Sequence, residues 1–141
     1  VKGLKMKLNE TFEKKNDALN SLVAKKSGKW YLQNGKFKVR GTPYTILTLD
    51  LNYSPKKKPK YINDQPDLDH ITETKIIQES KEDGQEWAGA NEGETKFLIL
   101  VKEKSGLWRY AGAFTGKYDF KEHRRVYTRS PEIIDLPLKM E

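Results

Sequence analysis

The feature that most constrains this chain is an unbroken apolar run, Phe97-Leu98-Ile99-Leu100-Val101, followed by a turn and an alternating aromatic segment. Successive side chains of a strand point to opposite faces, so a run with no polar member must be covered by protein on both sides. Lys104-Ser105-Gly106 supplies the turn, with a glycine free to take positive φ. The alternation that follows puts Trp108, Tyr110 and Phe114 on one face and Leu107, Arg109, Ala111 and Ala113 on the other. Gly112 interrupts the aromatic row and leaves room for another backbone or a flat ligand. The stretch from Thr95 to Phe120 therefore predicts the central hairpin of a β-rich fold.

The flanking segments are read against that centre. Asn9 is placed to cap a helix starting at Glu10, with Phe12, Leu19, Leu22 and Val23 on one stripe and Gly28 as the C-terminal stop. Asn34-Gly35 between Lys29–Gln33 and Lys36–Arg40 predicts a tight hairpin. Tyr44 to Tyr53 alternates, with Leu47, Leu49 and Leu51 on one side and Ile46, Thr48 and Asp50 on the other. Residues 62–70 read as loop, Ile71 to Glu79 as a strand, and the small residues after Trp87 as a further loop. His123 to Thr128 and Ile133 to Leu136 read as short strands. There is no βαβ rhythm and no internal repeat. The expected fold class is α+β, mostly β: an antiparallel curled sheet or partly open barrel of seven to eight strands with one N-terminal amphipathic helix.

At 141 residues this reads as a single domain, and the first residue, Val1, suggests one excised from a longer chain. The chain has no cysteine, which removes disulfides, thiolate metal sites and cysteine nucleophiles, and fits a cytoplasmic protein. No apolar run approaches the roughly 20 residues of a membrane helix. Charge is unevenly placed: residues 1–60 carry net +11, residues 61–94 net −8 and residues 95–141 net +4, giving +7. Clustered cations beside aromatic rings are the composition that grips a polyanion, because each Lys or Arg on a phosphate releases a counterion.

Three groups of cations are candidates for phosphate contact. Lys36, Lys38 and Arg40 form an outward row on a strand, Lys56, Lys57, Lys58 and Lys60 crowd a proline-broken loop, and Arg124, Arg125 and Arg129 follow the central hairpin, with Arg109 inside it. Trp87, Trp108 and Tyr110 are candidates for stacking on a base.

Candidates for catalysis are also present. Pro66-Asp67 followed by Glu94-Thr95-Lys96, or by Glu73-Thr74-Lys75, resembles the PD…(D/E)xK signature of the restriction-endonuclease-like superfamily. That resemblance implies two carboxylates on one Mg²⁺ and a lysine polarising the attacking water. His123 beside Arg124 and Arg125 offers instead the acid–base group of a metal-independent RNase toxin domain. In layout, one helix with a curled sheet, basic edges and an aromatic hairpin is similar to the PUA-like and SRA-like domains, which implies a modified or extruded base held between rings. The first expectation is a non-catalytic nucleic-acid-binding module acting on DNA in a restriction or defence system, without cofactor. A small nuclease and a protein–protein interaction module are the alternatives.

Overall fold

The computed structural model describes residues 8–24, 30–32, 35–51, 61–75, 96–119 and 124–140. They form β1 (Thr11–Phe12), α1 (Lys15–Leu22), β2 (Val23–Ala24), β3 (Lys36–Lys38), β4 (Tyr44–Asp50), β5 (Tyr61–Asp67), β6 (His70–Lys75), β7 (Lys96–Lys102), β8 (Trp108–Asp119), β9 (Arg124–Arg129) and β10 (Leu138–Lys139). The fold is α+β and mostly β. One mixed sheet of eight strands runs β3-β4-β7-β8-β9-β6-β5, with β1 joined to β8, and β10 pairs with β2 in a separate small ladder.

β7 is buried on both faces, as its apolar run requires. Leu98 and Leu100 pack with Ala18, Leu19, Leu22 and Ile46 beneath α1. Phe97, Ile99 and Val101 pack on the opposite side with Leu47, Ile71, Phe114 and Tyr127. The second cluster lies inside the curl of the sheet, and two side chains of the edge strand β5 hold that curl. Asn63 donates to the carbonyl of Asp50 at 3.2 Å, and Gln65 accepts from Arg109 of β8. These bonds join the edge strand to strands distant in the sheet order, as a rolled sheet requires, and among the described residues the ladder itself does not close.

Two pairings among the described residues depart from the antiparallel expectation: the short β2–β10 ladder is parallel, and so is one pair inside the main sheet. β4 and β7 run parallel, in register from Tyr44↔Lys96 to Asp50↔Lys102. A parallel neighbour needs a crossover of about a dozen residues or more, and residues 51–95 provide ample length. Both strands carry apolar residues on both faces, which suits the covered centre of a sheet.

Other local expectations change where tertiary pairing overrides propensity. The helix starts at Lys15, not Glu10, because Thr11 and Phe12 pair with Arg109 and Trp108 at the edge of β8. Asn9 consequently takes φ 66° and accepts a hydrogen bond from Arg109 instead of capping the helix. β3 forms its hairpin with β4, across the turn at residues 39–43, and not with residues 30–32. Trp30 and Leu32 pack on the helix-side core as irregular chain, with Trp30 donating to Asn20 at 2.8 Å. Residues expected as loop form β5, a polar strand that can exist because it is an edge. Its Pro66 falls at an irregularity between Asp64 and Asp67, where no ladder N–H is needed. Ile133 to Leu136 does not form a strand, and the pairing shifts to β10.

Ile99 touches the interior cluster from a fully buried position. Ile99→Ala is expected to lower stability by about 2–5 kcal/mol in urea denaturation. A loss below about 1 kcal/mol would contradict burial of β7 on both faces.

Candidate functional site

The site begins with a division of one strand edge. β1 takes the edge of β8 at Trp108 and Arg109, and the backbone of residues 9–10 extends that pairing to Tyr110 through bonds of 2.8 and 3.0 Å. β9 takes the same edge from Phe114 to Asp119, prolonged by Ser130 N–H donating to the carbonyl of Ala113 at 2.8 Å. The two neighbours part between Tyr110 and Ala113. There β8 also slips register against β7: Ile99 faces Gly112 but Leu100 faces Tyr110, leaving Ala111 as the extra residue of a bulge.

The bulge reverses the side-chain alternation. Tyr110 and Ala113 both join the helix-side core, while Ala111 and Phe114 both join the interior cluster. The expected single aromatic row of Trp108, Tyr110 and Phe114 is therefore broken after Tyr110. Gly112 sits at φ 116°, a conformation that L side chains rarely adopt. A Cβ there would stand 2.5 Å from Arg129 Nη1 and 2.8 Å from Leu8 Cδ1. The flat group for which Gly112 leaves room is thus the guanidinium of Arg129.

A pocket of about 330 Å³ opens over this break. Tyr110, Gly112 and Ala113 form its floor, Arg129 one wall, and the chain from Ser130 to Leu136 the other. Leu8 and Ile133 stand at its mouth, 50% and 93% exposed. Exposed apolar side chains at the rim and a few polar groups within make this pocket the candidate ligand site among the described residues.

Arg129 is held in place from outside the pocket. Its Nε donates to the carbonyl of Leu68 and to Asp69 Oδ1, both at 3.1 Å, and Nη2 donates to the same carbonyl at 2.5 Å. The guanidinium also lies 5.2 Å from the centre of the Phe114 ring. Glu132 fixes the opposite wall: Oε2 accepts from the Tyr44 hydroxyl at 2.9 Å and Oε1 from Lys96 Nζ. The bonds from Lys96 and then Tyr44 hold the Glu132 carboxyl below its usual range. Burial, then the bond to Glu132, pushes the Tyr44 hydroxyl up to about 12. Burial also pushes Tyr110 up to about 12, against the opposing effect of Arg129. Both phenols are neutral near pH 7, so the pocket's charges are those of Arg129 and Glu132.

The predicted site residues separate into distinct groups. Lys38 and Arg40 are exposed and Lys36 is half-buried. Lys36 and Lys38 lie on the face of β3 opposite Phe37, the side of the sheet that Leu47 of β4 occupies, and not on the outer face expected from the sequence. Arg125 is fully buried, so its guanidinium faces protein and not a phosphate; its place on β9 alternates with the half-buried Arg124. Arg109 has its donors on Glu103, Asn9 and Gln65. Trp108 is half-buried against the helix-side core, and Lys15 Nζ lies 5.2 Å from its ring centre, covering the face expected to stack. Desolvation, then the charge of Lys102, lowers the Lys15 pKa.

Among the nuclease candidates, Asp67 accepts from the Asp69 N–H at 2.8 Å and pairs with His70 Nδ1, also at 2.8 Å. Those contacts, His70 first, lower the Asp67 pKa. Lys96 is bonded to Glu132, a different partner. Among the described residues no group of three or more His, Asp or Glu is placed to hold a metal ion. Lys56, Lys57, Lys58, Lys60, Trp87, Glu94 and His123 lie outside the described residues, as do the side chains of Glu73 and Lys75. Among the described residues no helix is long and apolar enough to cross a membrane.

Leu8, Tyr44, Ser130, Glu132 and Ile133 were not foreseeable as site residues. Gly112 was the usable signal, since a glycine inside an aromatic strand marks a close approach.

No protein-family model and no curated protein sequence matches the chain. A solved structure does: the 5-hydroxymethylcytosine-specific restriction enzyme AbaSI, with a TM-score of 0.63 and 19% sequence identity over 90% of this chain. The match spans 40% of that enzyme's chain. The likeness is one of fold.

Gly112→Ala is expected to destabilise the protein by about 1–3 kcal/mol, read from thermal or urea unfolding, because the added methyl meets a strained backbone and a fixed guanidinium. An unchanged midpoint would contradict the bulge geometry. Glu132 titrates below the usual 4.5 in the folded chain, so its contribution to stability is full above that value and lost as pH falls through the folded pKa. A carbon-detected NMR titration should show a midpoint under about 4.5 that rises in Lys96→Ala; a midpoint indifferent to that substitution would contradict the ion pair.

Proposed function

We propose that this chain is a non-catalytic DNA-binding module that holds a modified cytosine, extruded from the duplex, in the pocket between β8 and the Ser130–Leu136 segment. The single observation that carries this reading is the pocket at the parted edge of β8. It is small, floored by an aromatic ring, walled by one fixed guanidinium and open to the surface through apolar side chains. A base is a flat apolar body with a polar edge, and it can reach such a pocket only after leaving the stack.

Two further features support the reading. The chain shares its fold with part of an enzyme named for 5-hydroxymethylcytosine and for restriction, which favours a modified cytosine as ligand and a restriction or defence system as setting. The chain is also basic, at net +7, which favours a polyanion. Lys38 and Arg40 are the exposed cations assigned to the phosphates, joined by Lys56, Lys57, Lys58 and Lys60. The turn carrying Arg40 leads directly into Tyr44, whose hydroxyl is bonded to Glu132 on the pocket wall, so one short path of chain links phosphate grip and base pocket.

The test is fluorescence anisotropy with short duplexes carrying cytosine, 5-methylcytosine or 5-hydroxymethylcytosine at one position. Affinity is expected to fall at least about tenfold between about 50 and 200 mM salt. One modified duplex is expected to bind at least about tenfold tighter than the unmodified one. Equal affinity for all three duplexes, or indifference to salt, would overturn the assignment.

A further inference from the structure

We infer that Arg129 is the group that recognises the ligand in this pocket, by donating from Nη1 to an acceptor oxygen on the held base. The inference rests on the pocket being the base site, and it assigns a chemical requirement to that site.

The guanidinium is fixed on one edge and open on another. Nε and Nη2 are bonded to the Leu68 carbonyl and Asp69 at the β5–β6 turn, and the Arg129 backbone N–H also donates to the Asp69 carbonyl at 2.8 Å. Nη1 donates to no other described residue and is the atom nearest the missing Cβ of Gly112, on the pocket floor. Its side chain is only 16% exposed, and it lines the pocket. An arginine so placed has donors and no acceptor, and its plane cannot turn without breaking the bonds to the hairpin. A ligand that fills the pocket with a hydrocarbon edge would strip water from Nη1 and return nothing, whereas an oxygen there makes a charge-assisted bond. The length of the fixed arm also explains the glycine: any side chain at position 112 would occupy the space of Nη1.

Two oxygens meet this requirement, the 2-carbonyl of the cytosine ring and the hydroxyl of a 5-hydroxymethyl substituent. Asp69 is a positioning residue, since it touches only the far edge of the guanidinium.

The test measures binding of the wild-type chain, Arg129→Met and Arg129→Lys to duplexes carrying cytosine, 5-methylcytosine or 5-hydroxymethylcytosine. A loss of about 10–100-fold in both variants is expected, the Lys variant included because an ammonium cannot keep the hairpin bonds and reach the base together. A loss confined to the hydroxymethyl duplex assigns the bond to the substituent; an equal loss on the methyl and hydroxymethyl duplexes assigns it to the carbonyl. Affinities unchanged in both variants would overturn the proposal. Because Arg129 also secures the β5–β6 turn, the same question is put to the wild-type chain from the DNA side. A target position bearing a 2-amino-3-methylpyridine nucleoside, a 5-methylcytosine analogue without either oxygen, is expected to bind at least about tenfold more weakly than 5-methylcytosine or 5-hydroxymethylcytosine, whichever is tighter. Equal binding of the analogue would overturn the proposal even if the Arg129 variants fail to fold. A wild-type chain that binds all natural duplexes alike points instead to failure of the pocket assignment itself.

Discussion

One edge of one strand has two claimants. β8 must serve β1 near its start and β9 near its end, and a strand edge offers its N–H and C=O groups to only one neighbour at any point. The backbone resolves this by bulging at Ala111–Gly112, which turns the strand and lets the two neighbours diverge. The pocket is the space between them. Its position is therefore set by backbone hydrogen bonding, and the side chains that line it are added to a gap the sheet already has.

The same break explains why Arg129 of the neighbouring strand β9 lines the pocket. Once Gly112 has no side chain, the nearest flat group on β9 can lie across it, and Arg129 does so while remaining tied to Leu68 and Asp69. Glu132 performs the matching task on the other side, pinned by Tyr44 at the start of β4 and Lys96 at the start of β7. Both pocket walls are thus anchored to strands of the main sheet. Walls held this way need no ordering on binding, which lowers the entropic cost for a ligand of the proposed kind.

Much of this architecture could be read from residues alone. The run Phe97–Val101 announces a strand covered on both sides, and Leu19, Leu22 and Val23 announce the buried stripe of the helix. Leu47 and Leu49 separate from Ile46 across β4 as their alternation requires. The misreadings share a cause: each concerns a residue whose partner is far away in the chain. Thr11 and Phe12 look like a first helical turn until β8 offers them a ladder. The polar residues of β5 look like a loop until the sheet supplies a neighbour, β6, that needs only backbone from them. Trp108 and Tyr110 look equally suited to stacking, but the bulge and Lys15 give them different surroundings. For the cations the sequence shows charge without direction. Arg125 and Arg129 share a face of β9 yet differ in burial and partners, and Arg109 differs again, through their places along the curl of the sheet, which no local pattern encodes.

Whether the gap beside Gly112 receives a base, as proposed, is read directly by methyl NMR. Ala113, Ile134 and Leu136 line the pocket and carry methyl groups that can be labelled selectively. Titration with a duplex containing 5-hydroxymethylcytosine is predicted to shift these three signals strongly, while an unmodified duplex moves mainly the backbone signals around Lys38 and Arg40. If the modified duplex binds and the three methyl signals stay where they are in the free protein, the base goes elsewhere and the gap beside Gly112 is not its site.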